Sequence, residues 1–343
     1  MTMQPYFDPL RPHRTTHEIA YEFTHGLQTL MACRLTDMAF VREISVGPRP
    51  DCHATTCCGR YVYIACEDGL YAVDTDSLEV VAHLCCGHVY GTNMLPDGLS
   101  MLLHDAHGGI LLVRGVDAPG TPGALQVERR LDALGTNVFP DTLGGKGDFL
   151  PGGRYVCCGW SEPRLFCIET EQDFAFSTLT DRDERLFRSD DLVLGEDGRY
   201  AFCACYGEAG TVAVVDTQSG QVVRMLGSGR GTCGMTSLAR RRWAVASNDG
   251  ECSITLVDTQ SQSVAGHCRC ADLFAQLGIA GTLQGISAGR DDEVYVYDCS
   301  GNGALVCFRP LDAHPTVTVS SRQGTVSGPL RSRALQNCKG GTA

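Results

Sequence analysis

Signals that would direct this chain into a membrane or out of the cell are absent from its sequence. No run of about 18 or more apolar residues occurs, so no membrane-spanning helix is predicted. Residues 1–9 lack the basic start and the apolar run of a secretory signal. We therefore expect a soluble cytoplasmic protein with no membrane partner.

Basic residues are also few. Lys and Arg number 28 against 40 Asp and Glu, which gives a formal net charge of −12 at pH 7. Proteins that bind nucleic acids through phosphate contacts are usually basic or carry a basic stripe. The acid-free basic stretch is the end of the chain, with Arg322, Arg331, Arg333 and Lys339. Nucleic-acid binding is therefore not predicted.

Cys-x-x-Cys pairs are absent although the chain has 19 cysteines. Without that spacing, the usual zinc or dithiol site is missing. Free cysteine behaves as a small buried hydrophobe, and several cysteines fall inside predicted strands, namely Cys66, Cys167, Cys203, Cys205, Cys299 and Cys307. We interpret most of the cysteines as core residues. Soft-metal binding or redox chemistry remains the alternative for the dense clusters at 83–88 and 267–270.

What the sequence does contain is a phrase that recurs along its length. A turn rich in Gly and Asp leads into a short apolar strand, and a later strand ends in Asp-Thr or a close relative. The first half reads Gly59–Ile64 and again Glu196–Phe202, and the second half reads Val73–Thr75 and again Val215–Thr217. A period of about 40 residues with several short strands per unit is typical of a β-propeller. The predicted fold class is therefore all-β.

The number of blades is predicted from the strand patterns. Six blades are predicted at 49–87, 88–135, 136–181, 182–227, 228–270 and 283–319. The outer-half phrase occurs seven times, which favours seven blades of four antiparallel strands over six or eight. The seventh would consist of the N-terminal segment, completed by a strand near 315–319, so that the chain ends close the ring. The predicted organisation is an N-terminal arm at 1–14, a single propeller domain at 15–319 and a flexible C-terminal tail at 320–343.

A family resemblance rests on the clearest copy of the phrase. The segment from Asp197 to Val223 contains Asp-Gly-Arg-Tyr and then Val-Val-Asp-Thr-Gln-Ser-Gly-Gln-Val-Val. It resembles the bacterial YVTN-type repeat, a WD40-like arrangement. Cytochrome d1-like, lactonase-type and amine dehydrogenase propellers share this repeat style. The resemblance covers about 49–312 and implies the fold, but no catalytic residue of those enzymes can be carried over.

The polar residues at the starts of the innermost strands are the candidate functional residues. Innermost strands line the central channel of a propeller, and its concave mouth suits a small ligand. His53 and His88 lie 35 residues apart, which predicts equivalent positions on adjacent blades. With Asp190 they are the predicted catalytic residues, and the two imidazoles are also predicted ligands of a divalent metal. The predicted substrate-binding residues are Tyr90, Lys146, Asp148, Arg188, Asp191, Cys233 and Gln284.

The plainer interpretation of such residues is structural. Polar side chains at strand starts often bond loop backbone or ordered water. His104 and His107 are predicted in a hairpin turn, with metal ligation at the rim as the alternative. Arg240, Arg241 and Arg242 are predicted to be exposed charges in another turn.

Two classes of function follow. The leading hypothesis is a propeller that binds a small molecule in its channel mouth and acts on it. The chemistry would be of the lyase, cyclase, isomerase or lactonase type, by acid–base or metal-assisted catalysis centred on His53 and His88. The alternative is a non-catalytic scaffold for a protein partner, or a propeller subunit or assembly factor of a cofactor enzyme.

Overall fold

The structure is a computed structural model of the chain. The residues it describes are 19–24, 28–34, 40–50, 53–55, 59–106, 109–131, 143–150, 153–159, 164–169, 176–179, 183–186, 189–238, 241–278, 280–288, 292–298, 304–311, 316–321 and 324–329. Almost all regular structure in them is antiparallel strand, as the sequence predicts. The helices among them are α1 (Ala271–Gln276) and two single turns at Glu184–Leu186 and Asp249–Glu251. None of these described helices is long and apolar enough to cross a membrane.

The chain divides into two compact units, 1–37 with 41–138 and 38–40 with 139–343, called here the N-terminal and C-terminal units. The N-terminal unit contains a three-stranded sheet and two four-stranded sheets. The three-stranded sheet consists of β1 (Ile19–Thr24), β2 (Thr29–Arg34) and β3 (Phe40–Ser45). The first four-stranded sheet consists of β4 (His53–Thr55), β5 (Tyr61–Cys66), β6 (Gly69–Asp74) and β7 (Glu79–Leu84). The second consists of β8 (Val89–Met94), β9 (Ser100–Asp105), β10 (Ile110–Arg114) and β11 (Gln126–Leu131).

The C-terminal unit contains three four-stranded sheets and one five-stranded sheet. The first has β12 (Leu143–Phe149), β13 (Arg154–Gly159), β14 (Leu165–Glu169) and β15 (Phe176–Thr178). The second has β16 (Ser189–Leu194), β17 (Tyr200–Cys205), β18 (Thr211–Asp216) and β19 (Gln221–Gly227). The third has β20 (Thr232–Leu238), β21 (Trp243–Asn248), β22 (Ser253–Asp258) and β23 (Ser263–Arg269). The last has β24 (Leu283–Ala288), β25 (Val294–Asp298), β26 (Leu305–Phe308), β27 (Thr316–Ser321) and β28 (Gly324–Pro329).

The six sheets of four or five strands are propeller blades, and the core lies between their faces. Along β17 the side chains alternate between two neighbours, as the period of two of a strand requires. Cys203 packs toward the preceding blade with Cys158, whereas Phe202 packs toward the following blade with Met235 and Ala246. Phe202 is fully buried, which stabilises the fold by about 1.5–3 kcal/mol.

The recurring phrase is scaffold, and its residues bond one another in each clear copy. In the blade β16–β19, Arg199 donates to Asp216 at 2.7 Å and its guanidinium lies over the Tyr200 ring. Asp216 Oδ1 accepts two amides of the next turn, and the Thr217 hydroxyl donates to the carbonyl of Gly198. Equivalent sets occur at Arg60, Tyr61, Asp74 and Thr75 and at Arg242, Trp243, Asp258 and Thr259. The phrase therefore ties the second strand of a blade to the end of the third.

One copy of the phrase is out of register with the others. In the blade β16–β19 the Gly195 amide bonds the carbonyl of Tyr200, whereas in β12–β15 the Leu150 amide bonds the carbonyl of Arg154. The turn is one residue shorter, so every later side chain changes face. Tyr155, which the sequence equates with Tyr200, is fully buried as a result.

A β-bulge recurs between the third and outermost strands of four blades. The register shifts between residues 72 and 73, 112 and 113, 214 and 215, and 256 and 257. Each shift lets two residues of one strand face one residue of the other and bends the outermost strand.

The prediction of seven blades is wrong, because six of the described sheets are complete blades of four or more strands. The N-terminal segment forms only the three strands β1–β3 in the described chain. The C-terminal strand that was predicted to complete them, β27, pairs instead with β26 of its own sheet. β28, within the predicted tail, pairs with β27 as a fifth strand.

Candidate functional site

The innermost strands of the C-terminal unit, β12, β16, β20 and β24, pack side by side in that order. Four predicted site residues whose side chains are described lie on them, one on each strand: Asp148, Asp191, Cys233 and Gln284. Their surroundings show which of them are used by the scaffold and which form a charged site.

Asp148, at the end of β12, joins three parts of the unit. Its Oδ2 accepts the amide of Leu194 on β16 at 3.0 Å, and its Oδ1 accepts the amide of Phe149 at 2.8 Å. Oδ1 also accepts Nη2 of Arg241 at 2.6 Å. Since Arg241 lies in the turn that follows β20, this last bond crosses two blades.

The Asp148–Arg241 pair is held largely out of water. The side chain of Arg241 is 13% exposed and that of Asp148 is 19% exposed. Burial raises the pKa of Asp148, although Arg241 and the amides of Leu194 and Phe149 oppose the rise. Arg241 has a left-handed backbone with φ of +71°, and its carbonyl accepts the Thr259 hydroxyl at 2.7 Å. The scaffold therefore fixes the turn from which the guanidinium projects.

Asp191, near the start of β16, is a buried link between blades. One oxygen accepts the amide of Leu192 at 2.9 Å and the other accepts the amide of Met235 on β20 at 3.0 Å. The residue is 5% exposed. These bonds indicate a structural use of the carboxylate.

Cys233 and Gln284 lie close together at the junction of β20 with β24. Cys233 Sγ lies 3.5 Å from the carbonyl oxygen of Gln284, and the Ser247 hydroxyl donates to the same oxygen at 2.6 Å. The amide of Gly234 bonds the Ser247 hydroxyl at 3.1 Å. Cys233 is 1% exposed, so its thiol serves the junction of β20 with β24.

In the N-terminal unit, the predicted residues His88 and Tyr90 lie at the start of β8 and are half-buried. Tyr90 meets the ring of His104 edge-on, with centroids 6.1 Å apart. His104 is fully buried within β9, so its predicted place in a hairpin turn is wrong. The strand continues through His104 because the residues directly before it in β9 are apolar, whereas the turn prediction ended the strand before His104.

Several predicted site residues lie wholly or partly outside the described residues. Arg188 and His107 lie outside them altogether. For His53 in β4, Lys146 in β12 and Asp190 in β16, only the backbone placement is described. In the described part of the chain, no group of three or more His, Cys, Asp or Glu residues is arranged to hold a metal ion. The metal assignment to His53 and His88 therefore stays a prediction.

Two features of the site were missed by sequence reasoning. Arg241 was predicted to be an exposed charge because three arginines in a hairpin turn usually are, and the structure contradicts that prediction. A Gly-x-Ser-x-Gly pattern also occurs at 285–289. Ser287 lies inside β24, however, and a nucleophile elbow requires a turn between a strand and a helix. The pattern therefore does not indicate a serine hydrolase.

Comparisons with known proteins identify the fold and leave the family open. No family model and no curated protein matches the sequence. Hydrazine synthase from Kuenenia stuttgartiensis is similar over 70% of this chain and 80% of its own, with a TM-score of 0.54 and 15% identity. The dihydro-heme d1 dehydrogenase NirN, in complex with DHE, is similar over 95% of this chain and 78% of its own, with a TM-score of 0.53 and 15% identity.

At that identity the likeness shows the fold alone. It confirms the predicted fold-level resemblance to propellers of the cytochrome d1 type. In all, 1341 chains of solved structures match, so the fold is too widespread to indicate one function.

Proposed function

We propose that this propeller binds a small anionic molecule beside Arg241 and Asp148 and acts on it by acid–base chemistry. The reaction would be of the lyase, cyclase, isomerase or lactonase type. The observation that carries the proposal is the largely buried pair of Arg241 and Asp148 at the ends of the innermost strands, 2.6 Å apart.

The energetics of the pair support a use beyond holding two turns together. Removing two charges from water costs several kcal/mol per ion, and apolar residues of similar volume often stabilise a fold as well or better. Titratable groups with shifted pKa values are concentrated at functional sites. Burial raises the pKa of Asp148, so this carboxyl is of that kind.

The chemistry of the two groups suggests the ligand class. The planar guanidinium of arginine recognises carboxylates and phosphates through paired hydrogen bonds. An anion that binds Arg241 would compete with Oδ1 of Asp148. Burial raises the pKa of Asp148 and Arg241 opposes the rise, so the carboxyl would be protonated more readily once it loses the guanidinium. It would then be a general acid beside the ligand, and anions would bind more tightly as the pH falls.

The proposal is tested with citrate, malonate and inorganic phosphate as probes, by titration calorimetry on the full chain. Arg241→Met should weaken binding at least about tenfold, because a charge-assisted hydrogen bond contributes about 1.5–3 kcal/mol. Asp148→Asn should keep binding but lose its pH dependence. The measured proton uptake in buffers of different ionisation enthalpy should fall in that variant to the part that comes from the ionisation of the probe itself.

Arg242→Met is the matched control. Arg242 is adjacent in sequence, but it pairs with Asp258 in the scaffold phrase, so affinity should change little. Equal affinities of the wild type and Arg241→Met for all three probes would overturn the proposal. His53, His88 and Asp190 stay separate predictions of catalytic residues, and alanine variants of each belong in any turnover assay that becomes available.

A non-catalytic scaffold is the second candidate, and one observation favours it. Val223 on β19 is 48% exposed and Val264 on β23 is 40% exposed, and these outermost strands contact each other. Neighbouring exposed apolar residues suit a protein partner. Under this proposal, Val223→Asp with Val264→Asp would abolish partner binding, whereas Arg241→Met would leave it unchanged.

A further inference from the structure

A thiol, an imidazole and a carboxylate meet on the outer part of the blade β4–β7. Cys85 directly follows β7, and His83 lies two residues earlier, so both side chains are on one face of the strand. Cys85 Sγ lies 3.7 Å from Nδ1 of His83 and 3.9 Å from Nε2. These residues play no part in the site proposed above.

The imidazole of His83 is oriented by two neighbours. Its ring stacks on Tyr71 with centroids 4.0 Å apart and an angle of 16° between the planes. Its Nε2 lies 3.9 Å from Oδ2 of Asp68. The Tyr71 hydroxyl donates to that same oxygen at 2.8 Å. Burial and the bond to Asp68 raise the pKa of Tyr71 to about 12, so the phenol stays a donor at neutral pH.

Cys85 is also accessible. Among the thirteen cysteines whose side chains the structure describes, Cys85 alone is exposed. Cys86 and Cys307 are half-buried, and burial raises the pKa of each to about 11, which keeps them as thiols. A reactive cysteine needs both access and a nearby group that can take its proton. Cys85 is exposed, and an imidazole nitrogen of His83 lies 3.7 Å from its sulfur.

We propose that Cys85, with His83 as its base and Asp68 and Tyr71 as positioning residues, is a nucleophilic thiol that exchanges with small disulfides. The Cys85 thiol passes its proton to His83, and the thiolate attacks one sulfur of the disulfide. A new sulfur–sulfur bond forms on Cys85 as the old one breaks. The departing thiolate takes the proton from His83, so the products are a mixed disulfide and a free thiol.

A purely structural stack of His83 on Tyr71 gives a different expectation. Cys85 would then react as any exposed thiol does. Replacing His83 by an aromatic ring without nitrogens would keep the stack and leave that rate unchanged. The reaction rate of Cys85 in the His83→Phe variant therefore distinguishes the two explanations.

The full chain is incubated with glutathione disulfide and quenched with N-ethylmaleimide over time. Trypsin then releases residues 61–114, in which fragment mass spectrometry resolves Cys66, Cys85 and Cys86. Cys85 should react at least tenfold faster than Cys86. His83→Phe should slow Cys85 about tenfold at pH 7 and shift its pH profile toward that of an ordinary thiol, because the base is gone while the stack remains.

Asp68→Asn provides a second variant, which keeps both the stack and the base. It should slow Cys85 by a smaller factor than His83→Phe, and Cys85→Ser should remove the early modification from this peptide. An unchanged Cys85 rate in both His83→Phe and Asp68→Asn would overturn the proposal. So would modification of Cys86 before Cys85 in the wild type.

Discussion

Asn248, at the end of β21, organises the polar interior of its blade although the residue is completely buried. Its Oδ1 accepts the hydroxyls of Ser228 at 2.9 Å and Thr232 at 2.8 Å. Its Nδ2 donates to the hydroxyls of Ser253 and Thr255, each at 3.1 Å. The side chain is thereby bonded at both ends, as a buried amide must be.

The network continues from Asn248 toward solvent. Because the Thr255 hydroxyl accepts from Asn248, its own proton is available to Nδ1 of His267, 3.1 Å away. Nε2 of His267 lies 3.3 Å from Oε1 of Glu251. The interior hydroxyls are thus joined to the half-exposed pair of His267 and Glu251, and no part of the chain of bonds needs water.

Asn248→Ala should lower the free energy of unfolding by about 2–4 kcal/mol, because it leaves several buried hydroxyls without their partner. Urea denaturation followed by circular dichroism measures the change. Gln218→Ala, in an exposed turn, is the control and should stay within about 0.5 kcal/mol of the wild type. A loss below about 1 kcal/mol for Asn248→Ala would mean that the network relaxes around the gap.

At the scale of the strand and turn, the bonded set of Arg, Asp and Thr gives the fold a dependence on pH. Arg199 and the amides of Gln218 and Ser219 lower the pKa of Asp216, against burial. Burial would raise the pKa of Asp74, but the amides of Ser77 and Asp76 and the guanidinium of Arg60 outweigh it and lower the pKa. A carboxylate whose pKa is lowered in the folded state stabilises the fold above its unfolded pKa.

The stability difference between the wild type and Asp216→Asn should therefore be largest near neutral pH. It should shrink as the pH falls below the ordinary aspartate value of 3.8 and through the lower folded pKa. Urea titrations at a series of pH values measure this difference. Arg199→Met should reduce the same acid-dependent part, because it removes the main cause of the shift. A difference that stays constant between pH 6 and pH 2.5 would contradict the assignment.

Much of the strand and turn structure was predictable from the sequence, and each prediction that failed has an identifiable physical cause. Apolar alternation placed the strands around Tyr200–Cys205 and Thr211–Asp216 where the structure has them. The change of register at Tyr155 was not predictable. The sequence of its Pro-Gly-Gly turn resembles that of the turns in the other blades, and the difference of one residue is in the hydrogen bonding that closes the turn. Arg241 was missed for a related reason, since its burial depends on Asp148, which is 93 residues away along the chain.

At the scale of the whole molecule, the sequence predicts the fold class better than the number of blades. The prediction of seven blades assumed that every copy of the recurring phrase marks a complete blade, but a blade also needs an innermost strand. β27 pairs with β26 because the two are close in sequence, and closing the ring with the N-terminal segment would need a long-range pairing. The candidate site was predicted in part, since Asp148 belongs to a charged pair whereas Asp191 links two strands.

The many cysteines lead to a prediction for the molecule as a whole. None of the thirteen cysteines with described side chains forms a disulfide, and ten of them are buried. Of these thirteen, a thiol reagent should therefore react quickly with only a few in the native protein. All 19 should react after unfolding in guanidinium chloride. An unfolded count well below 19 without reductant would show that cysteines outside the described residues are paired.

The recurring bulge has a consequence for how copies of this protein behave toward each other. The outermost strands expose valines such as Val80, Val127, Val223 and Val264, and a flat apolar edge of that kind is a template for intermolecular β-sheet growth. In four blades the bulge bends the outermost strand and interrupts its ladder of hydrogen bonds. We therefore expect the bulged edges to be poor templates for one another, which would limit edge-to-edge association between copies of this acidic protein.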